Sequence, residues 1–540
     1  LRALFFARDG FIHHFETADI RCHCMPVNSE LFYTWILSLF KTDCCFGLLQ
    51  FFSYFLLMVS GYKIMGIYEI EFKKRLWALL IFSSFAGVIS QVSSTQTDLC
   101  TGALLSSSLY LVLKYDKDKR LINLFYSSLA MGIAFGVKST GVIGSLPLII
   151  WYCFILRKDI FKYLGFLVFN FIIFSSYNYV LNYVNYGNWV GAQTAINEHA
   201  LVYSNFFEFL KGGFANLIRY ILQFFDFSGL MLFYLLTPLY DNFVQGLFNF
   251  LHINPLFNSN GEVPHLNATL SEQLTGLGIL SFIALLPAFI KAFFDKNLKP
   301  LCLVFMGQVI ILSFTIVYFP TTIRFFIAYF AILLPVLTLT YKKGNHKKLI
   351  TFIAAFYLIF TPLFLTQRPF IKIIAAYKNS PSIKALTDNI RNVKYDFYFI
   401  SKKHVILKDE TESLGKNVKV GIFLNDGFMA YPVKYSDYTK KVKIDFLNFS
   451  KNPNTDEYDY IIFENNFQSS SIPVKNPGAN CNYTYFANKI TGNICFLSEE
   501  TFKNFSLYKK VEYKADSFLK KTGNDNDTVF YILKNNVTKY

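Results

Sequence analysis

Three charged residues stand at the edges of long apolar stretches, where a charge is costly unless it faces water or a partner. Asp98 ends the run "SSTQTD", Lys138 lies in the turn "AFGVKSTGV", and Arg324 follows "FPTTI". Asp98 could cap a helix start or hold a polar substrate. Lys138, beside Ser139 and Thr140, could bind a ligand phosphate or reach towards a lipid phosphate. Arg324 suits a phosphate because a guanidinium binds it through two parallel hydrogen bonds.

Three weaker candidates complete the set. Arg219 and Glu272 fall within the long segment 186–273, and Glu30 lies in the apolar run "SELFYTW". A solvated helix face is the ordinary alternative for a charge such as that of Glu30. We take Arg219 as a further phosphate-binding candidate, Glu30 with Asp98 as candidate catalytic acids, and Glu272 as another outer-loop candidate.

The elements that must position these residues are ten long apolar stretches. Most are close to the ~20 residues that a helix needs to cross a hydrocarbon core of ~30 Å. They cover residues 45–66, 76–97, 98–114, 122–137, 139–156, 160–185, 274–293, 300–319, 323–341 and 347–367. Because the backbone must satisfy its own hydrogen bonds in lipid, each is expected to be helical. The predicted fold class is an α-helical polytopic membrane bundle.

Lys and Arg cluster in every second gap between the stretches. Basic loops stay cytoplasmic, so the other gaps face outward, with the first 40 residues, the 186–273 loop and everything after 367. The basic gaps lie at 73–75, 114–120, 157–162, 291–299 and 342–348. Counting 227–250 as a span would put the last basic gap outside, so we interpret it as interfacial or re-entrant. All six candidates then share the outer side.

These boundaries divide the chain into three parts. Residues 1–44 form a first outer loop with interfacial helices, residues 45–367 form the bundle with its large outer loop, and residues 368–540 form a soluble extracytoplasmic domain. In the last part, short apolar runs between turn residues predict strands at 418–424, 458–464 and 528–534. This domain is expected to be α/β or β-rich.

Composition and motifs exclude several functions. The net charge of +16 follows the basic inner loops, and no nucleic-acid-binding motif accompanies it, so no nucleic acid partner is expected. The sequence contains no dinucleotide fingerprint, P-loop or nucleophile elbow. We expect membrane lipids as partners and no nucleotide cofactor.

The cysteines predict one disulfide and no metal site. Cys481 and Cys495 are the two cysteines of the C-terminal region, where an oxidising outer compartment would favour a bond between them. Cys22, His23 and Cys24 are close together, but their spacing matches no zinc pattern. The chain starts with Leu and shows no signal peptide. An outward first segment needs an earlier helix to deliver it, so we expect an N-terminal truncation.

Six segments, in this order, resemble bacterial GT-C glycosyltransferases of the protein mannosyltransferase and aminoarabinose transferase branch. The resemblance covers residues 1–340 and is strongest around 18–140. The segments are "ADIRCHCMPVNSELFYTWI", "ISQVSSTQTDLCTGALL", "AFGVKSTGV", "NLIRYILQFFDFSG", "LTGLGILSF" and "FPTTIRFFIAYFAILLP". It implies a GT-C-like bundle that transfers a sugar from a polyprenyl-phosphate donor, without a metal, to a lipid, glycan or protein acceptor outside the cytoplasmic membrane.

The resemblance also assigns roles to residues. Asp98 matches the family's second acid, Glu30 falls in the segment after the first outer-loop helix, and Lys138 and Arg324 match a lysine and an arginine at outer helix ends. The family's main catalytic Asp would precede Leu1.

Two acids near that point could replace the missing Asp. They are Asp9 and Asp19, and neither fits the spacing.

The resemblance leads to an inverting mechanism with two rival interpretations. A carboxylate would take the acceptor's proton while Lys138 and Arg324 hold the charge of the leaving polyprenyl phosphate. One rival is a non-enzymatic flippase or transporter of a lipid-linked sugar. Transporters tend to show inverted repeats; we see none, and the charges collect at one face. The other rival is a scaffold whose outer domain binds a partner.

Overall fold

A computed structural model of the chain provides the description that follows. It describes residues 2–15, 21–43, 45–201, 203, 205–224, 227, 230, 235–257, 259, 261, 263–266, 270–341, 344–365, 374, 377–378, 382, 402–415, 417–423, 442–447, 455–465, 483–487, 494–498, 504–513 and 528–536.

The described residues are mostly helical. In chain order the helices are α1 Arg2–Asp9, α2 Arg21–Cys24, α3 Asn28–Phe40, α4 Leu48–Ile67, α5 Phe72–Ser83, α6 Ala86–Val92, α7 Asp98–Asp118, α8 Leu121–Val137, α9 Ser139–Leu156, α10 Ile160–Phe174, α11 Ser176–Tyr186, α12 Gln193–His199, α13 Phe206–Gln223, α14 Thr237–Phe250, α15 Leu286–Phe293, α16 Lys299–Thr315, α17 Phe325–Phe330, α18 Leu334–Leu337, α19 Asn345–Phe364 and α20 Lys402–Ser413. The strands are β1 Lys419–Phe423, β2 Lys443–Phe446, β3 Tyr460–Asn465, β4 Tyr483–Ala487, β5 Ile494–Ser498, β6 Phe505–Tyr513 and β7 Thr528–Asn535.

The chain divides into two compact units. One unit comprises Met25–Ile36 and Lys41–Lys378 and holds the bundle. The other comprises Leu1–Cys24, Leu37–Phe40 and Asn379–Tyr540 and holds the strands. Each of the ten predicted apolar stretches contains helix in the first unit, but residues 274–279 are not helical and 160–185 is divided between α10 and α11.

Several of these helices are long and apolar enough to cross a membrane. In the part of the chain that the structure describes there are four: Leu48–Ile67, Ser139–Phe174, Pro320–Thr340 and Asn345–Phe364. A fifth is added if α5 and α6, which are bent by 75° to one another, count as one span. The stretch predicted as continuous over 76–97 is therefore broken, because α5 ends at Ser83 and α6 begins at Ala86. The chain is a multi-pass membrane protein.

The centre of the bundle is formed by α7 and by the segment Pro320–Thr340. Most of this segment is buried, and α7 contacts α17 within it. Gly102 permits the approach, since a Cβ at that position would lie 2.9 Å from the Cα of Ala328. The first turn of α7 is thereby held beside the start of α17.

Three further helices, α12, α13 and α14, belong to the long loop 186–273. Helices α13 and α14 pack on one another through a small apolar cluster that includes Leu222, Val244 and Phe248. Their outer faces leave large apolar side chains exposed, such as Phe207 at 81% and Phe250 at 79%. Helix α14 has 14 residues, which is short for a span. The interfacial or re-entrant interpretation of 227–250 stays a prediction.

The second unit is built on a mixed sheet with strand order β2-β1-β3-β7-β6. Strand β1 runs parallel to β2 and β3, while β7 runs antiparallel to β3 and β6. The three predicted strands coincide with β1, β3 and β7, which form the centre of this sheet. A separate pair, β4 and β5, is antiparallel.

The chain's first helix packs on this sheet within the second unit. Arg8 forms an ion pair with Asp445 at 3.0 Å and also donates to the carbonyl of Ile444. The rings of Phe5 and Phe446 lie 6.3 Å apart. Residues 2–15 thus form one unit with the C-terminal strands.

Candidate active site

Three helix ends meet at one point of the bundle and carry Asp98, Lys138 and Arg324. Asp98 is the first residue of α7, and Lys138 lies between α8 and α9. Arg324 ends the 3₁₀ turn that leads into α17. All three are polar residues next to apolar helices, so the end of a helix is where they can be accommodated at least cost.

The carboxylate of Asp98 lies behind the two cations. Lys138 Nζ donates to Asp98 Oδ1, and Arg324 Nε lies 4.0 Å from Asp98 Oδ2. The Asp98 side chain is 0% exposed, whereas Lys138 and Arg324 are 17% and 20% exposed. The two cations therefore form the accessible side of the cluster, which has a net charge of +1.

The cluster retains unused hydrogen-bonding capacity. Among the described residues, neither Asp98 Oδ2 nor Arg324 Nε has a hydrogen-bond partner, although both atoms are buried. Their separation of 4.0 Å is too long for a direct hydrogen bond. Buried polar atoms without partners are costly, so this arrangement favours a site that gains contacts when a ligand binds.

Phe325 supports both cations. Lys138 Nζ lies 4.2 Å from the centre of its ring, and Arg324 Cζ lies 5.5 Å from it. The negative face of an aromatic ring attracts cations at such distances. The ring offsets part of the repulsion between the two positive groups and holds both at the same end of the bundle.

Burial also acts on the charge of Lys138. It lowers the pKa of the Lys138 ammonium to about 8, while the Asp98 carboxylate beside it opposes the shift. The ammonium is charged at neutral pH and loses its proton as pH rises through about 8.

Gln96 is a member of this cluster that the sequence analysis missed. Arg324 Nη1 donates to Gln96 Oε1 at 2.8 Å, across a separation of 228 residues. Its place two residues before Asp98 is the one signal that could have drawn attention to it.

Glu30 lies on α3 between two anchors that fasten this helix to the bundle. On one side, Asn28 donates to the carbonyl of Ile133 in α8 at 3.3 Å. On the other, Tyr33 Oη donates to the carbonyl of Thr95 at 3.2 Å. These partners precede Lys138 and Asp98 by five and three residues. Glu30 is half-buried and is placed at the same end of the bundle as the cluster.

Gly136 gives a test of this placement. A Cβ at Gly136 would contact Asn28 Nδ2 and would lie 2.5 Å from Ser175 Oγ. We expect Gly136→Ala to displace Asn28, which loses its hydrogen bonds to Ile133 and Ser175. The loss should lower stability by about 1–3 kcal/mol, measured as thermal unfolding in detergent.

The matched control for this substitution is Gly165→Ala. Gly165 also lies within a helix, but a Cβ there would meet nothing within 4 Å. This variant should unfold at the wild-type temperature or slightly above it, because Ala favours helix over Gly. Equal unfolding temperatures for the two variants would contradict the proposed anchoring of α3.

Arg219 is buried elsewhere in the first unit. It is 0% exposed, and its three nitrogens donate to Asn216 Oδ1 and to the carbonyls of Pro255 and Phe257. Its guanidinium also lies 5.3 Å from the ring centre of Phe248. These contacts hold the segment after α14 against α13. A role in phosphate binding stays a prediction, and the contacts favour a structural role.

Two further predicted acids lie on other elements. Glu272 is fully buried in the segment before α15, where the amide of Ser271 donates to Thr275 Oγ1 at 2.7 Å. Asp9 forms an ion pair with Arg8 in the second unit.

Two of the predicted positions cannot be placed. Cys481 and Asp19 lie outside the described residues, so the disulfide of Cys481 with Cys495 stays a prediction.

Comparisons with known proteins add one neighbour. No family model matches the chain, and no curated protein matches it. Among solved structures, the fold is similar to the crystal structure of ArnT from Cupriavidus metallidurans bound to undecaprenyl phosphate. The TM-score is 0.47 and the sequence identity 9%, over 87% of both chains. At this level the similarity identifies neither family nor activity, and the function must be argued from the site itself.

Proposed function

We propose that this protein is an integral membrane glycosyltransferase of the cytoplasmic membrane. It would move a sugar from a polyprenyl-phosphate donor to a lipid, glycan or protein acceptor on the outer face. The observation that carries the proposal is the cluster in which Lys138 and Arg324 converge in front of the buried carboxylate of Asp98. The sequence resemblance to GT-C glycosyltransferases supports the same conclusion.

The cluster suits a lipid phosphate for reasons of charge and place. Its net charge of +1 lies on two side chains that stay partly accessible. Both side chains stand at the ends of apolar helices, which is the depth at which phosphate groups of membrane lipids lie. A guanidinium offers paired donors to phosphate, and an ammonium adds a point charge.

The same two cations would assist the chemical step. As the bond from the anomeric carbon to the phosphate oxygen breaks, the departing polyprenyl phosphate takes the electron pair. Lys138 and Arg324 would stabilise this growing negative charge without rearrangement. No nucleotide is needed, because the donor already carries its leaving group.

A carboxylate must receive the acceptor's proton while the acceptor oxygen bonds to the anomeric carbon. Asp98 is fully buried, and its Oδ1 already accepts a hydrogen bond from Lys138. We assign Asp98 the role of orienting the two cations. Glu30 is half-buried and is held at the same end of the bundle by Asn28 and Tyr33. Among the predicted acids it is the better placed to meet an acceptor.

Transfer of a radiolabelled sugar tests the proposal. Membranes that hold the full-length protein are given a polyprenyl-phosphate-linked sugar and a mixture of membrane acceptors. Transfer should occur with the wild type and should fall strongly in Glu30→Gln. If the labelled lipid moves between leaflets and no sugar is ever transferred, the protein is a transporter and the proposal is wrong.

The pKa of Lys138 makes phosphate binding depend on pH. Burial lowers this pKa to about 8, so the ammonium that attracts the phosphate is present below that pH and is lost above it. A phosphate monoester is already doubly ionised above about pH 7, so the ligand does not cause the change. We expect the affinity for undecaprenyl phosphate to fall as pH rises from about 7 through about 8.

Lys138→Arg is the matched variant for this measurement. A guanidinium keeps its proton to above about pH 12, so the fall in affinity near pH 8 should disappear in this variant. Persistence of the same fall in Lys138→Arg would show that another group titrates and that Lys138 does not hold the phosphate.

A further inference from the structure

Gln96 links two distant turns at the site. It lies in the short segment between α6 and α7, and its Oε1 accepts from Arg324 Nη1 at 2.8 Å. The segment is itself held in place, because the backbone N–H of Gln96 donates to Ser94 Oγ at 3.0 Å and Ser94 is fully buried. The anchor for Arg324 is therefore fixed to the bundle.

This hydrogen bond determines how the guanidinium of Arg324 is turned. The group is planar, with five N–H donors in a fixed fork. Its Nη1 is tied to Gln96, and its Cζ lies 5.5 Å from the ring centre of Phe325. Two contacts on a planar group leave it little freedom to rotate. The remaining donors, including the buried Nε that has no partner among the described residues, are held in one orientation.

The residue type at position 96 also suits an anion site. Arg can only donate, so the amide of Gln96 must turn its oxygen to Arg324 and its Nε2 away. A carboxylate could hold the guanidinium equally well. With Asp98 it would, however, cancel the two cations and reduce the net charge of the cluster from +1 to zero. An amide holds Arg324 and keeps the positive charge.

We infer that Gln96 is a positioning residue of the phosphate site: it fixes the guanidinium of Arg324 in the orientation that binds the phosphate of a polyprenyl phosphate. The inference rests on the proposed function and extends it to a residue that does not itself carry charge. Gln96 acts through Arg324, so its effect should vanish when Arg324 is absent.

A double-mutant cycle on the purified full-length chain in nanodiscs tests this, with undecaprenyl phosphate as the probe. Gln96→Ala should weaken binding about fivefold to tenfold, because the guanidinium is no longer held by a hydrogen bond to a charged group. Arg324→Ala should weaken it more. The double variant should match Arg324→Ala within about twofold, since the two residues act as one unit.

A second variant separates positioning from support of the fold. Gln96→Glu keeps an oxygen in place of Oε1 but adds a negative charge. Its affinity should fall below that of the wild type at neutral pH. Relative to the wild type it should recover at acid pH, below the ordinary Glu pKa of about 4.3, because the Arg324 guanidinium stabilises the charged form of the carboxyl. Thr95→Ala, at an exposed neighbouring position, should bind as the wild type does at every pH.

The possible outcomes are distinct. Two results would overturn the role of Gln96 and leave the proposed function standing. One is wild-type affinity in Gln96→Ala. The other is that Gln96→Ala weakens binding by the same factor in the wild type and in Arg324→Ala. A Gln96→Glu variant that shows no recovery at low pH would also count against it. Failure of the wild type itself to bind undecaprenyl phosphate would contradict the proposed function, and the inference with it.

Discussion

Arg324→Ala is expected to lower sugar transfer by about 100- to 1,000-fold, which is the usual cost of removing one fixed donor from a developing anion. The guanidinium is partly accessible, bonded to Gln96 and held over Phe325. It can therefore stabilise the departing phosphate without moving. The measurement is the initial rate of transfer at several donor concentrations, so that kcat and KM are separated. Arg324→Lys should fall between the wild type and Arg324→Ala, because an ammonium keeps the charge but loses the paired donors.

The control for Arg324 is another basic residue of the predicted outer face. Lys211 is exposed on α13 and contacts the ring of Phe257 at 5.4 Å. Lys211→Ala should leave the rate of transfer unchanged. If Arg324→Ala transfers sugar at the wild-type rate in membranes that contain equal amounts of protein, Arg324 has no part in the reaction.

The charged residues of the cluster could be predicted from the sequence because each one interrupts an apolar pattern. Asp98, Lys138 and Arg324 stand out against their neighbours, and the alternation of basic loops predicts that they share one side of the membrane. Gln96 could not be found in this way. A glutamine in the polar run "SSTQT" is unremarkable in composition, and its partner is 228 residues distant.

Arg219 is the reverse case, a residue that was predicted to bind a ligand and whose contacts favour a structural role. It resembles Arg324 in the sequence, as a lone arginine near an apolar run, and both were predicted to bind phosphate. Its nitrogens are instead occupied by carbonyls of Pro255 and Phe257 and by Asn216. Arg219 is occupied because the segment after α14 folds back onto α13 and brings two carbonyls to it. The conformation of such a segment leaves no periodic pattern in the sequence, so it could not be predicted.

The strands that could be predicted from the sequence are those at the centre of the sheet. Strands β1, β3 and β7 occupy its centre, and their apolar runs are visible in the sequence. Strands β2 and β6 lie at the two edges and carry charged residues, as in "KIDF" and "FSLYKKVEY". Edge strands often carry such charges, which discourage pairing with other chains. Because of these charges, β2 and β6 do not form apolar runs and were not predicted as strands.

The bend between α5 and α6 was also beyond the sequence pattern. Residues 76–97 are apolar enough to predict one continuous span, yet the helix breaks between Ser83 and Ala86. The two residues between the helices are Ser84 and Phe85, and neither is a proline or a glycine that would mark the break. The path of the chain there is decided by tertiary packing, since Phe85 is fully buried in the core of the bundle.

Asp98→Ala is expected to have the second large effect, on stability as well as on transfer. It leaves Lys138 and Arg324 without the buried carboxylate that lies behind both of them. Removing one partner of a buried ion pair costs about 3–5 kcal/mol. Thermal unfolding in detergent should show the loss, and sugar transfer should fall with it. Asp116→Ala is the matched control, because its pair with Lys119 at 2.8 Å is exposed and is worth under about 1 kcal/mol.

The loss of stability and the loss of transfer in Asp98→Ala have different causes, and a double variant separates them. In Asp98→Leu with Lys138→Met, no uncompensated member of the pair remains, so stability should return towards the wild-type value. Transfer should not return, because the ammonium of Lys138 and the carboxylate that accepts its hydrogen bond are both gone. Recovery of transfer together with stability would show that the pair serves the fold alone. Normal transfer in Asp98→Ala would remove Asp98 from the mechanism altogether.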